Sequence, residues 1–223
     1  MDATDMIMIS VDDHLVEPPD LFEHHLPARY AARDEAPRVH RRRDGSDVWM
    51  FNGQKIPNVG LNAVAGRPRE EYGIEPTAFD EMRPGCWNIH DRIRDMDAGG
   101  VLGSMCFPSF PGFSGRVFAA ADDKDFALAV LQAYNDWHVD EWCGAYPGRF
   151  IPMGLVPLWD ADLAAAEVRS WPPGASTPSP SPRTRPRSAS TASTNPPGTR
   201  CGRPARTRAS WCRSTWAARA SSR

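Results

Sequence analysis

The stretch that decides the fold is Met6-Ile7-Met8-Ile9-Ser10-Val11-Asp12-Asp13-His14-Leu15-Val16-Glu17-Pro18-Pro19, MIMISVDDHLVEPP. Met6 to Val11 is apolar save for one serine, the pattern of a short strand buried on both faces. It runs into two aspartates and a histidine, and Pro18-Pro19 forbids continuation. In a strand, residues i and i+2 point to one side, so Asp12 and His14 project together and Asp13 turns away. A carboxylate oxygen and an imidazole nitrogen at that spacing can reach one metal ion. The competing reading makes the aspartates turn or helix-capping residues and His14 a satisfied loop histidine.

Outward from this stretch, the chain alternates. Residues 20–85 form a long excursion rich in Pro, Arg and Gly, with a small hairpin expected around VWMFNGQKI (48–56). Trp87 to Ala98 reads as a helix with Ile89, Ile93 and Met96 on one face and Gly99-Gly100 as its stop. VLGSMCF (101–107) reads as a second strand, followed by the loop PSFPGFSG. Asp122 to Cys143 is the clearest helix, with Phe126, Val130, Tyr134 and Trp137 as an apolar stripe. FIPMGLVPL (150–158) reads as a third strand, and a further helix begins at Leu163. Strand, helix, strand, helix, strand, helix argues for a parallel α/β sheet, open or closed into a barrel.

Composition divides the 223 residues sharply. All 28 acidic residues and 16 of the 26 basic ones lie in 1–171, a balance of −12. Residues 172–223 carry 10 arginines, no Lys, Asp or Glu, and no Leu, Ile, Val, Met, Phe or Tyr. The body gives no reason to expect nucleic acid as a partner. No stretch approaches the roughly 20 apolar residues of a membrane helix. The acidic start MDATDMIMIS differs from a secretory signal. Five cysteines without paired spacing fit free thiols in a reducing cytoplasm, so a cytoplasmic location is expected.

The segments ISVDDHLVEPPDLFEHHLP, GVLGSMCFPSFPGF, AYNDWHVDEWC and PGRFIPMGLVPLWD together resemble the metal-dependent amidohydrolase superfamily. The branch they look most like contains aminocarboxymuconate-semialdehyde decarboxylase and the resorcylate-type decarboxylases. The resemblance implies that residues 1–171 are the N-terminal part of a (β/α)₈ barrel. It also implies a divalent metal, zinc or manganese, with first-strand ligands falling on Asp12 and His14. A histidine on the fifth strand and an aspartate after the eighth would complete the set, and this chain offers neither. The implied activity is hydrolysis or non-oxidative decarboxylation of a small carboxylic or cyclic substrate, in a family that is often homo-oligomeric.

Other candidates have quieter readings. His24-His25 fits a solvated turn, while His90 and His138 fit packing or capping. Glu17 fits a partner of the metal ligands or a surface acid equally well. Trp137 and Trp142 fit core; Phe107, Phe110 and Phe113 fit a pocket lining or a packed loop.

Residues 172–223 cannot bury enough apolar surface to offset their ordering entropy and are expected to be disordered. Their composition fits misread GC-rich DNA, with a slipped frame near Ser170 to Gly174. Shifted by one base, Ala209 to Ala217 (ASWCRSTWA) permits VVSLHLG, an apolar strand ending at a histidine. On that reading the metal site is only half present and the chain is inactive. The alternative is a non-catalytic α/β fragment with a basic interaction tail.

Overall fold

The chain begins with β1 (Met8–His14), then two short helices, α1 (Leu21–His25) and α2 (Ala28–Ala31). An antiparallel meander of β2 (Arg38–Arg41), β3 (Asp47–Phe51) and β4 (Gln54–Ile56) follows. Then come α3 (Ile89–Ala98), β5 (Val101–Phe107), α4 (Arg116–Ala119), α5 (Lys124–Trp137), β6 (Phe150–Ile151) and α6 (Ala161–Ser170). The structure, a computed structural model, describes residues 6–60, 63–73 and 76–171, leaving aside the Phe113 side chain. The expected disorder and the shifted frame of 172–223 concern a segment outside the described residues.

The three strands β1, β5 and β6 form one parallel sheet in the order β1-β5-β6. This is the architecture expected from the alternation: parallel neighbours need a crossover, and helices supply it. α3 starts where Asn88 accepts from the amides of His90 and Asp91, satisfying two of the orphan donors of its first turn. It ends at Gly99-Gly100, where Gly100 takes a φ of 69° that a side chain would resist. Asp123 caps α5 in the same way through the Phe126 amide.

The stripe on α5 is buried throughout: Phe126, Val130, Tyr134 and Trp137 all lie in the core. The helix continues into a π-helical turn, His138–Cys143, so the helical segment spans almost the expected range. The same core joins the meander to the helices. Trp49 of β3 stacks on Phe110 at 4.3 Å between ring centroids, and Phe22, Phe51 and Phe118 close around them edge-on. The hairpin expected at 48–56 is the β3–β4 pair, turned at Asn52-Gly53.

Two strand expectations need correction. β1 does not stop at Val11 but pairs with β5 as far as His14, opposite Phe107. The third strand covers only Phe150–Ile151 of the expected 150–158, and Pro152 has no amide with which to continue the ladder. His24 and His25 also end a helix rather than forming a turn, and His25 Nε2 lies 3.0 Å from Glu141 Oε1. None of the helices among the described residues is long and apolar enough to cross a membrane.

Candidate metal centre

β1 carries its chemistry on an irregular strand end. Ser10 pairs with Ser104 and Asp13 with Cys106, so three steps along β1 match two along β5. Such a bulge re-aims the side chains around it. Simple alternation would set Ser10 opposite in facing to Asp13; here the Ser10 hydroxyl donates to Asp13 Oδ1 at 2.8 Å. Asp13 Oδ2 also accepts from the Ser104 hydroxyl and sits 3.3 Å from Arg92 Nη2 of α3. Asp13 is therefore engaged by two serines and an arginine, as part of the seam between β1, β5 and α3.

Asp12 and His14 differ. Both are exposed, and neither side chain forms a hydrogen bond or ion pair with the described residues. The His14 ring lies 5.8 Å from Phe107, tilted by 35°. Both line a cavity of about 240 Å³ together with Asp13, Val16, Cys86, Arg92 and Ser109, so Asp13 does not turn away from them as alternation predicts: the bulge brings it to the same cavity. This cavity opens at the carboxyl end of β1, where parallel α/β folds place their chemistry.

The donor types suit a borderline divalent ion, one carboxylate and one imidazole. The donor number does not. Among the described residues no group of three or more His, Cys, Asp or Glu could hold a metal ion. The described residues thus offer two candidate ligands and no closed site, and no reaction step is derived through a metal.

Glu17 is not a surface acid. It is fully buried, and its carboxylate accepts from the amides of Ser109 (3.0 Å) and Phe110 (2.8 Å). Burial pushes its pKa from 4.5 to about 7, opposed by the amides of Phe110, of Glu17 itself and of Ser109. His138, as expected, packs: it is buried, stacked on Tyr134 at 5.7 Å and 11°, and its Nε2 accepts from the Met153 amide at 3.1 Å. That bond places the proton on Nδ1, and burial lowers the pKa from 6.5 to about 4. Phe110, Trp137 and Trp142 are core. Phe107 is half-buried beside His14, and the Phe113 side chain lies outside the description.

Two residues escaped the sequence reading. Arg92 sits beside the apolar face of α3 with nothing in its spacing to mark it, yet it lines the cavity and meets Asp13. Asn135 interrupts the stripe of α5. It is fully buried, donating to the Leu155 carbonyl (2.8 Å) and Glu167 Oε1 (3.0 Å) while accepting from the Leu155 amide (2.8 Å). A polar residue among apolar ones was the available signal.

The arrangement is that of an α/β protein with potential metal ligands at the carboxyl end of a parallel strand. A family model described as Amidohydrolase matches residues 21–177, and the chain belongs to that family. The matched region begins after Asp12 and His14. Among solved structures, an amidohydrolase from Mycobacterium avium subsp. paratuberculosis K-10 superposes with a TM-score of 0.51 at 21% identity. The alignment covers 74% of this chain and 46% of that one, so the chain spans less than half the length of this relative. At that identity the likeness speaks for the fold. No match is found among curated proteins.

Proposed function

We propose that this chain carries the first-strand portion of a metal-dependent hydrolase of amidohydrolase type, acting on a small carboxylic or cyclic substrate. The observation that carries the reading is the exposed pair Asp12 and His14 on one cavity, at the end of a parallel strand in an amidohydrolase-family chain. Zinc or manganese suits a carboxylate and an imidazole together. Within a (β/α)₈ barrel, further ligands would come from later strands. Bound there, the ion would supply an activated water for hydrolysis. Decarboxylation would instead require a neutral acid facing the substrate. Among the described residues the carboxyl with a raised pKa is Glu17, and both of its oxygens face loop amides, so it does not supply that acid.

Metal binding by the chain and its variants tests the reading. Two ligands leave a four-coordinate site half filled, so zinc should bind weakly and be removed by dialysis. Calorimetric titration should show that His14→Ala weakens zinc at least about tenfold, the lower bound for losing even an outer partner of a ligand. Asp13→Asn should leave affinity within about twofold, below that bound. Equal zinc affinity in the wild type and His14→Ala would remove the site from these residues.

A further inference from the structure

Glu17 performs a task that the metal reading does not use. Two strand-exit segments meet at it: residues 15–17 after β1 and residues 108–110 after β5. The Leu15 amide donates to the Phe107 carbonyl at 3.0 Å, and the Ser109 hydroxyl donates to the Leu15 carbonyl at 2.6 Å. Glu17 then takes the next two amides, Ser109 on Oε1 and Phe110 on Oε2. Ser109 is a wall of the cavity that also holds His14. Phe110 is anchored on its far side by Trp49.

Chemistry restricts what can sit at position 17. The two N–H donors fall on different oxygens of the side chain, and an ionised carboxylate offers an acceptor at each. A carboxylic acid or a glutamine offers one good acceptor and turns a donor toward the second amide. Among the described residues no cationic side chain contributes to holding the charge; the amides do that work against burial. The facing titratable group is Tyr134 of α5, which burial, and then the charge of Glu17, keep protonated. Across the cavity stand Arg92 of α3, Cys86, and Asp12, Asp13 and His14 of β1.

We propose that Glu17 is a positioning residue and a proton-controlled latch. Its carboxylate bridges the Ser109 and Phe110 amides and fixes the β5 exit loop against the β1 exit, and protonation releases that wall of the cavity. The inference stands on loop geometry and holds whether or not Asp12 and His14 bind metal. With a carboxyl that titrates at about 7, the latch is closed in mildly alkaline solution and open in mildly acidic solution.

Residue-resolved amide exchange on the 223-residue chain tests this, with rates corrected for the intrinsic effect of pH. Protection at Ser109 and Phe110 should rise by about tenfold between one pH unit below and one above the midpoint, the ratio of ionised fractions. Amides in the middle of α5 should not follow. Glu17→Gln should show low protection at these two amides at every pH. If that variant does not fold, the wild-type carboxyl carbon shift of Glu17 and the two amide shifts should titrate with one midpoint. Flat protection in the wild type, unchanged protection in Glu17→Gln, or separate midpoints would each overturn the latch.

Discussion

Two apolar patterns in this chain meet opposite fates. The stripe on α5 is buried from end to end, with Phe126 at 1% exposure and Val130 at 0%. The apolar run of the first strand is not: Ile7 is 71% exposed and Val11 58%. Periodicity tells which face a segment would bury, and only a partner decides whether it does. α5 has the sheet and the aromatic cluster. β1 has β5 on one side and, among the described residues, no strand on the other. Its sequence is that of an interior strand of a parallel sheet, placed at an edge.

The contrast predicts a wide spread in mutational cost. Phe126 lies 5.6 Å from the Tyr30 ring and 5.7 Å from Phe51, with Arg33 above it at 5.1 Å. Phe126→Ala removes a fully enclosed ring and should destabilise the chain by about 3 to 5 kcal/mol. Chemical denaturation monitored by circular dichroism measures it. A loss below about 1 kcal/mol, the scale of a surface substitution, would mean that the α5 stripe is no better covered than β1.

The buried side of the molecule also holds two titratable groups with opposite signs. The unfolded His138 imidazole gains a proton below 6.5 and the folded one only near 4, so acidification through that window destabilises the fold. The unfolded Glu17 loses its proton above 4.5 and the folded one near 7, so acidification through that window stabilises it. Each contribution is about 3 kcal/mol, and they oppose one another between 4.5 and 6.5. The wild type should therefore show nearly constant stability across that window. His138→Gln, which retains an acceptor for the Met153 amide, should gain stability on acidification, and Glu17→Gln should lose it. Denaturant midpoints in buffers across the window decide the signs. Parallel slopes in both variants would refute the pairing.

Asn135 sharpens the comparison by a smaller amount. It ties both backbone groups of Leu155, just beyond β6, to α5, and links them to Glu167 of α6. Asn135→Ala leaves the Leu155 amide and carbonyl buried without that partner. The expected cost is about 2 kcal/mol, within the range for unsatisfied buried polar groups. Exchange of the Leu155 amide should accelerate before global unfolding. If it does not, the contact is redundant.

How much of this was legible follows from where the information lies. β5 was readable to the residue because its apolar run is bounded by Gly99-Gly100 and Pro108 and paired on both edges. The α5 stripe was readable because a helix face repeats locally. The end of β1 was not, since the pairing of Asp13 with Cys106 and His14 with Phe107 is set by residues more than ninety positions away. The burial of Glu17 escaped for the same reason: its partners belong to the loop after β5. Asp12 and His14 were legible as chemistry by their spacing, but ligands from other strands leave no trace in these two positions. The bulge that turns Ser10 toward Asp13 likewise has no signature in ISVDDH.

The smallest expected effect on stability lies at the open edge, and it isolates the partner from the pattern. Ile7 is exposed, so Ile7→Lys removes little packing and should change unfolding free energy by no more than about 0.5 kcal/mol. Its effect should appear in association instead. An apolar strand with a free row of backbone donors and acceptors is a template for further pairing, and a charge there discourages it. Light scattering during a concentration series should show the wild type growing in mean mass while Ile7→Lys grows less. Val11→Lys should behave alike, being 58% exposed on β1, which Ile7 immediately precedes. If either lysine instead destabilised the chain by as much as Phe126→Ala, the first strand would be covered in solution. The contrast between the two apolar patterns would then vanish.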